Sequence, residues 1–186
     1  MRKFRRDELR RFLQSLDQHL SGPRRLILIG GAAASLAYGI ARVTTDIDTI
    51  DDITDLEEAL RLARAATGLD VPVQSVGVYD APYHYEARLI RVDMPFERLQ
   101  ILVPEKHDLV LMKTVRGQDN DREAIQQIAT QVGIDKSTLV ERFKSEMTHA
   151  VARPEQLRAN FLAIVEMLYG ESEADSVASE FDSSRP

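Results

Sequence analysis

The segment from Leu26 to Ile50, LILIGGAAASLAYGIARVTTDIDTI, constrains the fold of this chain more than any other stretch. An apolar run ends at Gly30-Gly31, and the alanine-rich residues that follow it favour a helix. The isoleucine and threonine residues after that predict a second strand over Thr45–Ile50. The segment therefore predicts a strand, a glycine turn, a helix and a second strand that returns beside the first.

Asp46 and Asp48 place two carboxylates in this otherwise apolar second strand. Residues two apart in a strand share one face, so both acids point the same way while Ile47 faces the opposite layer. Two carboxylates on one face of a strand lie close enough to repel each other unless a cation lies between them. Oxygen ligands without histidine or cysteine favour Mg²⁺ or Mn²⁺. The pair alone also suits N-cap, turn or surface positions, so its interpretation depends on the glycine turn.

Gly30-Gly31 follows the first strand and precedes the helix. Backbone N–H groups in such a turn can approach a phosphate, and the helix N-terminus adds a favourable potential. A phosphate-binding turn and an acid pair in one cleft predict a site for a nucleoside triphosphate with its metal, where phosphoryl or nucleotidyl transfer is the natural chemistry. The segment contains neither a dinucleotide-binding nor a P-loop fingerprint. An EF-hand beginning at Asp46 fails at Ile50, and Asp51 stands where that loop requires glycine.

Hydrophobic spacing divides the rest of the chain into helices and short strands. A first helix carries apolar residues from Leu9 to Leu20, and another follows Thr54. Further strands are predicted in VPVQSVGVY, YEARLIRV and ERLQILV. Only helices are predicted after that, and their expected starts are Pro104, Asn120, Asp135 and Pro154.

This order of elements predicts an α/β or α+β core with an all-helical C-terminal part. We expect the core and its N-terminal helix to occupy residues 1–103. Residues 104–170 form the helical part, which we expect to complete the site. Residues 171–186, ESEADSVASEFDSSRP, are polar and predict a flexible tail unless a partner or the domain surface captures them.

Composition narrows the class of protein. The chain has no cysteine, which excludes disulfides and zinc–thiolate sites. No apolar run approaches the roughly 20 residues of a membrane span, and no secretory signal is recognised, so we expect a cytoplasmic protein. The net charge of −6 argues against wholesale coating of nucleic acid. Six cations nevertheless crowd residues Arg2 to Arg11, which predicts either a polyanion-binding patch or a solvated helix face.

The joined motifs resemble the nucleotidyltransferase superfamily with the polymerase-β-like fold, in which a glycine turn, a helix and an Asp-x-Asp strand follow one another. The sequence is more closely similar to the AbiEii-like toxins and related nucleotidyltransferases, where the helix ends in arginine and the acids stand in TxDID. Arg42 and Thr44–Asp48 match these features. A later helix in those families carries a lysine, an arginine three residues on and an acid at the start of the next helix. Here Lys113, Arg116 and Asp121 match.

The resemblance implies a mixed sheet flanked by helices and a metal-dependent reaction at one site. The residues that it implies as nucleotide contacts are Gly30, Gly31, Thr45, Lys113 and Arg116. The residues that it implies in catalysis are Asp46, Asp48, Lys113 and Asp121, with Asp46 and Asp48 holding Mg²⁺ or Mn²⁺. Helical spacing supports part of this assignment, because Lys113 and Arg116 lie three residues apart and share one helix face.

Two positions depart from the pattern of those families. Asn120 stands where a lysine usually precedes the acid, so one cationic contact is missing. The superfamily's third metal-binding carboxylate, on a later strand, has two candidates here, Asp93 and Glu86. Asp93, at the end of LIRVD, is the preferred one.

We therefore expect a metal-dependent nucleotidyltransferase that moves a nucleoside monophosphate from a nucleoside triphosphate to an acceptor hydroxyl. The acceptor is an RNA 3′ end, a protein side chain or a small molecule. Similarity to AbiEii-like proteins implies a toxin of a toxin–antitoxin pair, with tRNA as a candidate acceptor and an antitoxin protein as a candidate partner. The alternative is a catalytically weak nucleotide-binding interaction module, antitoxin-like or regulatory, that keeps the fold.

Overall fold

The computed structural model describes residues 2–41, 43–77, 80–150 and 152–183. It divides into two compact units, Met1–Val78 with Glu86–Glu105 and Tyr79–Tyr85 with Lys106–Pro186. The first unit contains the sheet and the second is helical. The long helical segment of the second unit begins after Glu105, and the sequence predicts that the helical part begins after residue 103.

A five-stranded mixed sheet forms the centre of the first unit. Its strands are β1 (Arg24–Ile29), β2 (Ile47–Thr49), β3 (Val73–Ser75), β4 (Ile90–Arg91) and β5 (Leu99–Val103). They lie in the order β3-β2-β1-β5-β4. β1 pairs parallel with β5 and antiparallel with β2, while β2 pairs parallel with β3 and β4 antiparallel with β5. The mixed α/β fold is confirmed, and the strand after the glycine turn lies beside β1 as predicted.

Three α-helices of the first unit pack around this sheet: α1 (Arg6–His19), α2 (Gly30–Tyr38) and α3 (Glu57–Thr67). α1 packs against both α2 and α3. Its apolar face is at most 1% exposed and consists of Leu9, Phe12, Leu13 and Leu16. These residues recur at the helical spacing read from the sequence, so burial of this stripe explains why α1 is held on the core.

A buried carboxylate also joins α1 to β5. Asp17 is 5% exposed and accepts hydrogen bonds from the backbone N–H groups of Glu97, Arg98 and Leu99, at 3.1, 2.8 and 2.6 Å. Burial alone would raise the pKa of Asp17, but these three donors hold the pKa below its ordinary value. Asp17 thus satisfies the backbone donors at the start of β5, where no neighbouring strand does so.

The second unit contains five helices in the described residues: α4 (Lys106–Arg116), α5 (Asp119–Val132), α6 (Lys136–Glu146), α7 (Pro154–Tyr169) and α8 (Glu171–Ser183). Two of the four predicted starts hold, while α4 begins two residues after Pro104 and α5 one residue before Asn120. The Asp135 carboxylate accepts a hydrogen bond from the N–H of Thr138, which caps α6, and Pro154 opens α7.

Residues 171–186 do not form a free tail in the part that the structure describes, because α8 occupies Glu171–Ser183, which is the capture by the domain surface that the sequence left open. Ala174, Val177 and Phe181 recur at helical spacing, and Ala174 and Val177 are buried. Phe181 lies 5.6 Å from the Phe143 ring and 6.1 Å from the Phe161 ring. The surface of the second unit therefore captures this polar segment through a narrow apolar stripe. Residues 184–186 lie outside the described residues.

Several strand predictions were too long. β2 covers Ile47–Thr49 instead of Thr45–Ile50, and half of YEARLIRV forms a 3-10 turn at Tyr85–Arg88. Short segments of this kind carry little periodicity, so flanking residues are easily assigned to them. Residues 78 and 79 of VPVQSVGVY lie outside the described part of the chain. None of the helices in the described residues is long and apolar enough to cross a bilayer.

Candidate active site

The glycine turn lies directly against the second acid of the Asp-x-Asp motif. Gly30 has a φ of +67°, in the left-handed region that favours glycine. A β-carbon at this position would lie 3.0 Å from Asp48 Oδ2. The β1–β2 register explains the approach, because Ile29 pairs with Asp48. The sequence predicted glycine for approach to a phosphate, and the structure adds that Gly30 also leaves room for a carboxylate.

Gly31 makes a similar approach to the residues before the acids. A β-carbon on Gly31 would lie 2.8 Å from Thr44 Oγ1, closer than real side chains come. The same hydroxyl donates hydrogen bonds to the Asp46 carbonyl oxygen at 3.2 Å and to Asp46 Oδ1 at 3.3 Å. Thr44 therefore connects the second glycine of the turn with the first acid of the motif.

The burial of Asp46 and Asp48 agrees with the shared face that their spacing predicts. Both are half-buried, whereas Ile47 and Thr49 between and after them are 0% exposed. Only Asp48 lies within β2, since Asp46 precedes the strand. The alternation of buried and half-buried residues nevertheless begins at Asp46.

Hydrogen-bond donors orient both carboxylates. The Thr45 hydroxyl donates to Asp46 Oδ2 at 3.2 Å, and Gln74 Nε2 on β3 donates to Asp48 Oδ1 at 2.7 Å. Neutral donors of this kind hold a ligating carboxylate in place without neutralising it. Sequence reasoning identified Thr45 by resemblance but missed Gln74, because nothing in the local sequence indicates that β3 lies beside β2.

A third nearby acid has a structural role. Asp51 Oδ2 accepts a hydrogen bond from the Ile27 N–H at 2.6 Å and another from the Thr49 hydroxyl at 3.3 Å. These bonds connect β1 with the end of β2, so they support the pairing that brings Asp48 to Gly30. In the sequence alone, Asp51 stands out only as a departure from an EF-hand loop.

The donor set at Asp46 and Asp48 suits Mg²⁺ or Mn²⁺, since both ligands are carboxylates. In the described parts of the chain, no group of three or more His, Cys, Asp or Glu side chains could hold a metal ion. Asp93, exposed just after β4, and Glu86, exposed in the 3-10 turn, therefore do not form such a group with the two acids. Mg²⁺ is usually held by one or two carboxylates together with substrate phosphates, and two acids fit that arrangement.

The second predicted motif lies in the second unit and forms an ion cluster. Asp121 is 1% exposed and accepts two hydrogen bonds from the Arg116 guanidinium, at 2.8 and 2.7 Å. Lys113 Nζ lies 3.5 Å from Asp121 Oδ1, and the Lys113 side chain is 9% exposed. Both cations thus share one face of α4, as predicted, and both contact the acid at the start of α5.

Charge and burial oppose each other at Asp121. Burial alone would raise the pKa of this carboxyl, but the hydrogen bonds from Arg116 and the positive charge of Lys113 hold the pKa below its ordinary value. The acid is therefore ionised near neutral pH and pairs with the buried Lys113 side chain and the exposed Arg116 side chain. The implied nucleotide contacts of Lys113 and Arg116 stay predictions. Arg42, the arginine matched to the end of the motif helix, lies outside the described residues.

One family model matches most of the chain. It is described as a nucleotidyltransferase of unknown function (DUF6036), and it matches residues 7–172. The chain belongs to this nucleotidyltransferase family. The match includes the glycine turn, both acids and the Lys113–Arg116–Asp121 cluster of this nucleotidyltransferase. No curated protein and no solved structure matches the chain.

The close approach of Gly30 to Asp48 leads to a prediction about this nucleotidyltransferase, and Gly68 provides its control. Gly30→Ala and Gly68→Ala both place alanine at a φ of +67°, which costs about 1 kcal/mol in each case. Gly68 has no atom within 4 Å of the added carbon, whereas Gly30 has Asp48 Oδ2 at 3.0 Å. We expect Gly30→Ala to lower nucleotidyl transfer roughly tenfold, about 1.4 kcal/mol, by displacing the carboxylate.

The two variants are compared by urea unfolding and by transfer of label from an α-labelled nucleoside triphosphate. Similar unfolding midpoints with a loss of transfer only in Gly30→Ala support the contact. Equal transfer by the two alanine variants would show that the position of Asp48 does not depend on Gly30.

Proposed function

We propose that this protein transfers a nucleoside monophosphate from a nucleoside triphosphate to an acceptor hydroxyl. The observation that carries the proposal is the close approach of the glycine turn to the acid motif. A β-carbon on Gly30 would lie 3.0 Å from Asp48 Oδ2, and one on Gly31 would meet the hydroxyl of Thr44, which donates to Asp46. Turn and acids together are the two parts that a triphosphate with its metal needs. Membership of a nucleotidyltransferase family supports the same chemistry.

In this proposal the N-terminus of α2 and the N–H groups of Gly30 and Gly31 bind the triphosphate. Asp46 and Asp48 would hold Mg²⁺ or Mn²⁺, which would neutralise charge developing on the phosphate oxygens. The acceptor hydroxyl loses its proton to solvent and its oxygen bonds to the α-phosphorus, while the bond from that phosphorus to the bridging oxygen breaks and pyrophosphate leaves. Thr45 lies beside Asp46 and is the further nucleotide contact that the motif implies.

The threonine and glutamine donors contribute by orientation. Thr44, Thr45 and Gln74 each donate to one oxygen of a carboxylate and fix its direction. A transfer reaction with little covalent chemistry for the protein to perform depends mainly on such positioning.

The TTDID motif and the later residues Lys113, Arg116 and Asp121 extend the proposal to a narrower class of nucleotidyltransferase. Their similarity to AbiEii-like proteins supports a toxin of a toxin–antitoxin pair, with tRNA as the acceptor and an antitoxin protein as the partner. The cytoplasm is the compartment in which such a protein would meet tRNA.

Two observations favour a second candidate, a catalytically weak nucleotide-binding module. Lys113 and Arg116, implied as nucleotide contacts, both contact the buried Asp121. The acid pair also lacks a third metal-binding side chain among the described residues. This candidate keeps nucleotide binding at Gly30-Gly31 and loses transfer.

Metal removal tests the proposal and separates the two candidates. The purified chain is incubated with Mg²⁺, each α-labelled nucleoside triphosphate in turn and total RNA, protein or small-molecule extracts as acceptors. We expect label on one class of acceptor, release of pyrophosphate, and loss of both on chelation, with recovery on adding Mg²⁺ or Mn²⁺. Nucleotide binding without transfer to any acceptor would refute the enzyme and favour the binding module.

A further inference from the structure

The N-terminal segment runs alongside the residues that carry the acids. Phe4 and Thr44 form an isolated antiparallel bridge, in which the Phe4 N–H donates to the Thr44 carbonyl at 2.7 Å and the Thr44 N–H to the Phe4 carbonyl at 3.1 Å. Phe4 is 1% exposed, so the bridge is anchored in the core. The Thr44 hydroxyl in turn donates to Asp46, so a single residue, Thr44, connects Phe4 with an acid of the candidate active site.

The residues around this bridge are strongly basic. The basic segment, Arg2–Arg11, contains six cations and two carboxylates in a chain whose net charge is −6. The six cations are Arg2, Lys3, Arg5, Arg6, Arg10 and Arg11. Lys3 and Arg5 flank Phe4 directly, and Arg6 and Arg10 follow one helical turn apart on α1. The positive charge therefore begins beside the acids and continues along the helix.

Internal partners neutralise little of this charge. Arg2 pairs with Glu8 at 2.8 Å and Arg5 with Asp7 at 3.7 Å, and the Arg5 and Asp7 side chains are 72% and 74% exposed. The Arg5–Asp7 pair is therefore exposed and weak, and Arg5 can exchange Asp7 for another anion. Arg6 and Arg11 donate only to backbone carbonyls, of Leu36 and Thr67. Within the described residues, Lys3 and Arg10 form no ion pair.

We infer that the basic segment binds the sugar-phosphate backbone of a nucleic acid whose terminal hydroxyl is the acceptor. The inference rests on the proposed nucleotidyl transfer for the role of that hydroxyl, and on charge alone for binding. Phosphates are the anions that a row of exposed lysine and arginine side chains neutralises best in series. The end of a nucleic acid supplies both a row of phosphates and a hydroxyl.

The burial pattern of α1 argues against an anionic membrane as the partner. A helix that binds a bilayer surface inserts an apolar face beneath its basic one. The apolar face of α1, from Leu9 to Leu16, is at most 1% exposed and packs inside the first unit. Only charged and polar side chains of the basic segment reach solvent, which suits phosphates in water.

Binding is measured by fluorescence anisotropy with a labelled single-stranded RNA of about 20 nucleotides, longer than the site of a typical binding module. The probe is titrated with the full chain in the absence of nucleotide and metal, between about 50 and 200 mM salt. We expect Lys3→Glu/Arg10→Glu to weaken binding at least about tenfold. The salt dependence should become shallower by about 1.4 in the log–log slope, because two phosphate contacts are lost at about 0.7 each.

Arg122→Glu/Arg153→Glu is the matched control, since it changes the net charge equally at two exposed positions of the second unit. It should bind RNA like the parent chain. Equal losses in both variants, unchanged binding by the Lys3/Arg10 variant, or binding to anionic lipid vesicles in place of RNA would each overturn the inference. Circular dichroism of both variants excludes unfolding as the cause.

Single-stranded DNA of the same sequence forms a second arm. Comparable affinity supports recognition of the backbone, and stronger binding of RNA supports it with a contribution from the 2′-hydroxyl. Because binding is measured without nucleotide or metal, RNA binding without transfer refutes only the proposed reaction. Transfer to a protein or small molecule with no RNA binding refutes only the inference.

Discussion

Replacing both Asp46 and Asp48 by asparagine is expected to reduce nucleotidyl transfer about 1,000-fold, equivalent to roughly 4 kcal/mol of lost transition-state stabilisation. Asparagine keeps the shape of aspartate, and its amide oxygen still accepts the bond from Gln74 at position 48 and one of the two bonds from Thr44 and Thr45 at position 46. It removes the negative charge that a divalent ion requires. The fold should therefore persist while the reaction is lost.

The control is Asp55→Asn/Asp70→Asn, which removes two carboxylates that are 62% and 97% exposed in the same unit. Its rate of label transfer should equal that of the parent chain, and both double variants should give similar circular dichroism spectra. If the Asp46/Asp48 variant retains transfer within about tenfold of the parent, these acids do not hold the ion. The site would then have to be sought elsewhere.

Replacing Asp121 by asparagine is expected to destabilise the protein by about 3 kcal/mol, because breaking a buried ion pair leaves its partner charge inadequately compensated. Asp121 is 1% exposed and the Lys113 side chain is 9% exposed, so water cannot take over the lost interaction easily. Urea unfolding followed by circular dichroism measures the change.

Asp119→Asn is the matched control for this prediction. Asp119 stands in the same first turn of α5, carries the same charge and is exposed. Its replacement should cost about 0.5 kcal/mol or less, as for most surface changes. If Asp121→Asn is no more destabilising than Asp119→Asn, the cluster is not a structural ion pair. Direct nucleotide contacts by Lys113 and Arg116 would then become the better explanation of the motif.

The pH dependence of stability gives an independent check on Asp121. Its pKa in the folded protein lies below the ordinary value of 3.8, so the unfolded chain binds a proton more readily. The stability contributed by the ionised carboxylate is fully present above about pH 4 and is lost as pH falls through the folded-state pKa. The parent chain should therefore lose more stability than Asp121→Asn in this acidic range.

The local arrangement of the candidate site could be predicted because its signals lie close together in the chain. The apolar run, Gly30-Gly31, the alanine-rich helix and the Asp-x-Asp motif span only Leu26–Ile50. Strand alternation then predicted that Asp46 and Asp48 share one face, and the burial pattern agrees, since both are half-buried around the buried Ile47. The helices of the second unit were equally accessible, since their apolar spacing and their start residues are local features.

The long-range contacts of the site could not be predicted in the same way. Gln74 reaches Asp48 because β3 pairs with β2, and Phe4 reaches Thr44 across 40 residues of chain. Strand register and packing create both contacts, and neither leaves a periodic signal in the sequence. Asp93 illustrates the converse, because a suitable residue at the end of a predicted strand forms no metal-binding group with the acid pair.

The C-terminal segment shows how packing overrides composition. Its polar residues predicted a flexible tail, yet a three-residue apolar stripe and ion pairs such as Arg158 with Asp182 at 2.8 Å hold α8 on the second unit. A few buried contacts suffice for a helix that is already attached to a folded surface, because packing stabilises helices more than propensity does.

The sequence by itself determined the class of fold, the strand–turn–helix–strand unit and the chemical character of the acid pair, since all three depend on residues near one another in the chain. Only the tertiary structure decided that Gly30 leaves room for Asp48, that a basic segment passes beside Thr44, and that Asp121 pairs with Lys113 and Arg116. These contacts depend on which surfaces meet when strands and helices pack, and local sequence patterns do not specify which surfaces those are.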